Sequence, residues 1–125
     1  LPEVITNISE LFVIKNKNMI NFVGNKRGNG KVFHLNKFKN SGYDKKIICI
    51  ENADPGFDFI FTKKINGLIT KFGGANSHMA IRCAELGIPA AIGVGDTLFE
   101  QVIKSNVISI ESDRKKLIIE GKYIS

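Results

Sequence analysis

A histidine that follows a serine and a glycine pair is the feature of this sequence best suited to chemistry. The pair Gly73-Gly74 stands three residues before Ser77-His78. Serine often caps the N-terminus of a helix, where unpaired N–H groups and a partial positive charge attract anions. The glycines let the backbone approach an anion closely because they carry no Cβ atom. An imidazole placed there can attack phosphorus, after which the same N–H groups hold the phosphoryl group.

We therefore predict that His78 is a nucleophile that takes up a phosphoryl group, and that Asn76 and Ser77 donate hydrogen bonds to its oxygens. A histidine at a helix start is also common as a cap or as a surface residue. The spacing of the residues alone leaves that interpretation open.

Apolar runs around this segment predict the strands that position it. The runs 47–50, 67–70 and 90–92 are almost wholly apolar, which is typical of strands buried on both faces. Between the second and third runs, Ser77 begins a helix that Gly87 is placed to end. Thr97-Leu98-Phe99-Glu100 has the form of a capping box that opens a second helix through Ile103.

The two ends of the chain have a simpler pattern. Runs 107–110 and 117–119 flank a charged turn and predict a terminal hairpin. Residues 1–40 carry the weakest signal, with short strands expected at 11–14 and 19–23, a strand over 32–38 and a turn at 40–42. Because strands alternate with helices in the second half, we predict a mixed α/β fold with one core, a single compact domain over residues 1–125.

Residues 24–31 form a glycine-rich, basic run that we interpret as a surface loop, suited to docking on a partner domain. Its spacing is one residue too long for a phosphate-binding P-loop, and Val32 stands where that motif needs Ser or Thr.

Composition narrows the function classes further. The 125 residues are 43% hydrophobic and 24% charged, as in an ordinary globular domain. The net charge of +6 is compatible with nucleic-acid binding, but the basic residues are scattered, which favours a solvated surface.

Cys49 and Cys83 lie in apolar stretches without metal-ligand spacing and predict buried free thiols. No apolar run reaches membrane-spanning length, so we expect a cytoplasmic protein, and the start at Leu1 suggests a fragment of a longer polypeptide.

The segment GLITKFGGANSHMAI at 67–81, followed by ELGIPAAIG at 85–93, resembles the signature of the PEP-utilising enzyme mobile domain. This is the swivelling phosphohistidine domain of pyruvate phosphate dikinase, PEP synthase, rifampicin phosphotransferase and the first enzyme of the sugar phosphotransferase system. The resemblance is dense over about a quarter of the chain and looser from Lys45 to the C-terminus.

The resemblance implies a β/β/α swivelling domain in which His78 carries the phosphoryl group and Gly73, Gly74 and Ser77 surround it. In the ATP-using members an ATP-grasp domain of the same polypeptide loads the histidine, releasing AMP and phosphate, and the domain then delivers the phosphoryl group to a small molecule. Nucleotide and Mg²⁺ are expected on that partner domain, no cofactor or metal is expected on this one, and the isolated domain is expected to be inactive. PEP as the donor, or a non-catalytic binding module that keeps the fold, are the alternatives.

Two further positions bear on the site. Many members of the family carry an Arg where this chain has Ala84. In this chain Arg82 lies one helical turn after His78 and is either a contact of the phosphoryl group or a surface residue.

The run 51–58 together with 76–82 is similar to a bacterial subgroup that includes the L-glutamine kinase of capsular phosphoramidate synthesis. Asp54 and Asp58 in that run are compatible with a metal-binding pair, but a structured turn is the favoured interpretation. His34 is assigned no role, and the phenylalanines at 57, 59 and 61 are expected in the core.

Overall fold

The computed structural model describes residues 11–15, 20–36, 42–52, 55–74 and 76–120. In these residues eight strands, two α-helices and one 3₁₀-helix follow each other along the chain. They are β1 Leu11–Lys15, β2 Asn21–Val23, β3 Arg27–His34, β4 Ile47–Asn52, the 3₁₀-helix Pro55–Thr62, β5 Gly67–Phe72, α1 His78–Leu86, β6 Ala90–Ile92, α2 Asp96–Ile103, β7 Val107–Glu111 and β8 Lys116–Glu120.

One sheet contains all eight strands, in the order β1-β8-β7-β3-β4-β5-β6-β2. Its centre is parallel, from β3 through β4 and β5 to β6. The edges are antiparallel: β2 joins β6 on one side, and the β7–β8 hairpin with β1 continues from β3 on the other. Strand β3 belongs to both parts, because residues 27–31 pair with β7 while residues 32–34 pair with β4.

Alternate side chains of the central strands build a core on each face of the sheet. Ile48 and Ile50 of β4 pack on the side of α1 and the 3₁₀-helix, while Ile47 and Cys49 pack on the side of α2 and the hairpin. All four are completely buried. This double burial explains why β4, β5 and β6 read as continuous apolar runs in the sequence. The predicted α/β fold of a single compact domain is confirmed, but the expectation of one core is wrong, because the sheet separates the buried residues into two clusters.

Both cysteines are free and buried, as predicted. Burial disfavours the thiolate, and it raises the pKa of the Cys83 thiol to about 12 and that of Cys49 further still. Within the described residues, neither helix has the length and apolar character needed to span a membrane.

Most of the predicted elements are confirmed, with one correction of type, one of a helix cap and one of a strand boundary. The prediction of a basic loop over 24–31 is wrong for residues 27–31, because these residues belong to β3 and pair with β7. The capping box at Thr97 is also wrong: α2 begins at Asp96, and Gly95 is its N-cap without a side-chain hydrogen bond. The strand expected over 32–38 ends at His34, and positions 37–41, with most of the predicted turn, lie outside the described residues.

The phenylalanines of the 3₁₀-helix divide between core and surface. Phe57 and Phe61 pack against the core beside the fully buried Ile60, as predicted. Phe59 is 38% exposed and contacts the rings of Tyr43 and Phe57. The Tyr43 hydroxyl donates a hydrogen bond of 3.1 Å to the Phe59 carbonyl, which ties this helix to the segment before β4.

The close approach of neighbouring atoms explains why β3 has a glycine at position 28. A Cβ atom at this position would collide with the backbone carbonyl of Asn66 and would lie 2.9 Å from Cγ of Pro89. We expect Gly28→Ala to lower the free energy of unfolding by about 1–3 kcal/mol, since backbone must move to make room. Urea denaturation followed by circular dichroism measures this loss. Asn29→Ala, at an exposed neighbour on the same strand, is the control and should change stability by less than about 0.5 kcal/mol; equal losses would contradict the steric explanation.

Candidate functional site

The helix that carries His78 has the caps that the sequence predicts. Ser77 is its N-cap in an extended conformation, and the Ser77 hydroxyl accepts a hydrogen bond from the Ala80 N–H at 3.4 Å. The helix ends at Gly87, whose φ of 72° is left-handed and whose N–H bonds back to the last turn. His78 is therefore the first residue of α1, beside the N–H groups that have no partner within the helix.

The loop between β5 and α1 is held from the neighbouring strand. The Gly93 N–H, just after β6, donates to both the carbonyl and the hydroxyl of Thr70, each at 3.0 Å. A Cβ atom at position 93 would lie 2.5 Å from the Gly73 carbonyl oxygen, so only glycine allows this approach. Inside the loop, the Ser77 N–H donates to the Gly74 carbonyl at 3.0 Å. Residue 75 lies outside the described residues.

His78 contacts a carboxylate that the sequence analysis did not connect with it. Both carboxylate oxygens of Asp58 lie 2.8 Å from Nε2 of His78, across a separation of 20 residues. The two side chains are partly exposed, at 39% for His78 and 44% for Asp58. The carboxylate lies near the N-terminus of α1, where the helix dipole favours negative charge. Asp58 thus sits in the 3₁₀-helix facing the histidine, and Asp54, for which a structured turn was favoured over a metal pair with Asp58, lies outside the described residues.

The other predicted site residues lie in the loop before His78 and on α1. Gly73, Gly74 and Asn76 are exposed along the loop that leads to His78. Arg82 lies on the same face of α1, but its contacts here are with other groups: Nη1 donates to Glu85 Oε1 at 3.2 Å, and the guanidinium lies 5.5 Å from the centre of the Phe61 ring. Its contact with a phosphoryl group stays a prediction.

Three exposed apolar side chains lie close in sequence to Asp58, Gly73 and His78. Phe72 is 47% exposed directly before Gly73, Ile81 is 49% exposed one turn after His78, and Phe59 follows Asp58. We call these three residues the apolar rim. Exposed apolar groups gathered at one place are typical of surfaces that contact a partner. A basic cleft of about 560 Å³ that includes Lys63 and Lys64 lies at the other end of α1, next to Gly87, and its lining includes neither His78 nor Asp58.

The family model of the PEP-utilising enzyme, mobile domain, matches residues 42–121, which contain β4 through β8 and the whole site. This chain belongs to that family.

The relatives of this mobile domain include PEP synthases. It is 36% identical over 105 residues to phosphoenolpyruvate synthase of Aquifex aeolicus, covering 80% of this chain and 12% of the relative. It is 38% identical over 74 residues to the Helicobacter pylori phosphoenolpyruvate synthase, covering 58% of this chain and 9% of that protein. The chain therefore spans about a tenth of the length of these relatives.

Solved structures of three differently named proteins are similar to this fold. The mobile domain matches an Enzyme I structure with a TM-score of 0.51 and 24% identity, over 63% of this chain and 32% of that one. It also matches a UPF0107 protein (TM-score 0.61, 12% identity, 92% of this chain and 99% of that one) and aconitase X of Thermococcus kodakaraensis (TM-score 0.54, 12% identity, 79% and 93%). At these identities the likeness concerns the fold alone.

The contact between residues 93 and 73 gives a test of how the loop is held. Gly93 and Gly24 have nearly the same φ angle, 77° and 79°, but of the two only position 93 lacks space for a Cβ atom. We expect Gly93→Ala to cost about 1–3 kcal/mol more than Gly24→Ala, because the Gly73 carbonyl must move. It should also shift the backbone amide resonances of the mobile domain from Gly73 to His78. Equal stability and unchanged resonances in the two variants would contradict this role of Gly93.

Proposed function

We propose that this mobile domain is the phosphohistidine carrier of a larger, ATP-dependent phosphotransferase. The observation that carries the proposal is the position of His78 as the first residue of α1, directly after a glycine loop and partly open to solvent. The fold alone would not support it, because the UPF0107 protein and aconitase X have the same architecture. The family match over the site residues supports it.

The chemistry follows from the elements around the ring. A ring nitrogen of His78 attacks phosphorus, and the phosphoryl group it receives carries negative charge. Backbone N–H groups at the start of α1 and the glycine loop form the anion-binding surface for that charge. Gly73, Gly74, Asn76 and Ser77 are the residues we assign to this surface, with Arg82 able to approach by leaving Glu85.

A carrier must meet at least two partner sites, and the apolar rim supplies a surface for doing so. We assign the loading step to an ATP-grasp domain of the same polypeptide, with ATP and Mg²⁺ bound there and AMP and phosphate released. The second partner binds the acceptor, for which the amide nitrogen of L-glutamine is our candidate. PEP in place of ATP is the alternative donor, and labelling experiments distinguish the two.

The central test uses the complete polypeptide that contains this domain, with ATP labelled separately at the β and γ positions. We expect acid-labile, alkali-stable label from the β position on the wild-type protein and none on His78→Ala, since the imidazole is the acceptor. The chain has two histidines, so His34→Gln is the matched control and should keep the label. Label retained by His78→Ala would contradict the proposal, and label taken up from PEP alone would identify the other donor.

The role of the apolar rim is tested by Ile81→Gln. Burying an isoleucine in an interface contributes about 1.5–3 kcal/mol, so we expect the rate of His78 phosphorylation by ATP to fall roughly tenfold or more. Leu86→Gln is the matched control, because Leu86 is 47% exposed on the same helix but about 12 Å from His78 along its axis. It should keep the wild-type rate.

Phosphoramidate, a small phosphoryl donor that needs no partner domain, separates docking from chemistry in the Ile81→Gln variant. Labelling of His78 by this reagent should be unchanged in the variant. If phosphoramidate labelling falls as far as labelling by ATP, the rim affects the site itself and the docking role is wrong.

A further inference from the structure

We propose that Asp58 is the proton acceptor for the nucleophilic nitrogen of His78. The inference rests on the proposed function, since it concerns the step in which His78 takes up the phosphoryl group. It assigns a catalytic role to a residue that lies 20 positions before the histidine and comes from a different element.

The geometry places the carboxylate directly on the ring nitrogen that a phosphoryl donor reaches most easily. Nε2 lies at the end of the imidazole ring away from the backbone, so attack from this atom meets the least steric hindrance. Both oxygens of Asp58 stand 2.8 Å from it, within hydrogen-bond distance. The carboxylate therefore occupies the space in which phosphorus must arrive, and Nε2 becomes reactive only when Asp58 moves aside.

A proton transfer makes that movement productive. In the protonated pair, the imidazolium carries hydrogen on both ring nitrogens, and Asp58 accepts the one from Nε2. The ring keeps its proton on Nδ1 and gains a lone pair on Nε2. This lone pair forms the N–P bond as the P–O bond to the donor's leaving group breaks, and that electron pair departs with the leaving group.

The same transfer removes an electrostatic conflict. An ionised carboxylate beside a newly bound phosphoryl group would place like charges in contact. After accepting the proton, Asp58 is neutral and its carboxyl O–H becomes a hydrogen-bond donor for a phosphoryl oxygen. When the phosphoryl group passes to the acceptor, the proton returns from Asp58 to Nε2 and the resting pair forms again.

Anchoring of the 3₁₀-helix is a weaker explanation of the contact. That helix already holds its position through the buried Ile60, the packing of Phe57 and Phe61, and the hydrogen bond from Tyr43. The contact between Asp58 and His78 is partly exposed on both sides, and even ion pairs in such positions contribute little to stability.

Single-turnover labelling of the complete polypeptide with β-labelled ATP tests the inference. Asp58→Asn keeps an oxygen that accepts a hydrogen bond from Nε2 but cannot take the proton, so we expect the phosphorylation rate of His78 to fall roughly 100-fold or more. Asp44→Asn is the matched control, because Asp44 is an exposed carboxylate that precedes β4 at the opposite end of the sheet. It should stay within about twofold of the wild type.

Chemical rescue separates proton transfer from a structural role. In Asp58→Ala the space beside Nε2 is open, and added formate should restore a large part of the rate in a concentration-dependent way. A rate in Asp58→Asn within about twofold of the wild type, or an Asp58→Ala variant that formate leaves unchanged, would overturn the inference while His78 labelling of the wild type still supports the carrier function. Absence of label from the wild type would instead defeat the carrier function, and the inference with it.

Discussion

The parallel pairing of β5 with its neighbours is the constraint on which the site depends. β5 lies between β4 and β6, and its residues Leu68, Ile69 and Thr70 have no measurable exposure. Because β5 and β6 run in the same direction, the chain must return along the sheet between them, and α1 makes that return. The N-terminus of α1 therefore has to lie at the carboxyl end of β5, which is where parallel sheets usually bind ligands.

The same constraint brings Asp58 to His78. β4 is also parallel to β5, so its carboxyl end lies at the same edge of the sheet, and the chain that leaves it forms the 3₁₀-helix Pro55–Thr62. Two neighbouring parallel strands thus deliver an acidic and a basic side chain to one place. Thr70 and Gly93 complete this edge by holding the glycine loop against the end of β6. The site is a consequence of strand direction more than of any single side chain.

The antiparallel half of the sheet serves a different purpose. β7 and β8 extend the sheet beyond β3 and supply Ile108, Ile110 and Leu117 to the core on the face of α2. At the far end of this half, Arg27 of β3 forms a salt bridge with Asp113 in the turn between β7 and β8. This salt bridge lowers the pKa of the Asp113 carboxyl. These elements help to bury the parallel centre on the face of α2. This division explains how one architecture is shared with proteins that differ widely in sequence.

Features that depend on local residue pattern could be predicted from the amino-acid sequence. The wholly apolar runs of β4, β5 and β6, the serine and glycine caps of α1 and the position of His78 were all readable, because burial on both faces and helix capping leave direct marks on residue type. Tertiary structure decided the rest. Polar and glycine-rich residues 27–31 became strand because β7 pairs with them, and Gly28 is small because the Asn66 backbone passes close by. The contact between Asp58 and His78 joins elements 20 residues apart, and only the order and direction of the strands bring them within 2.8 Å.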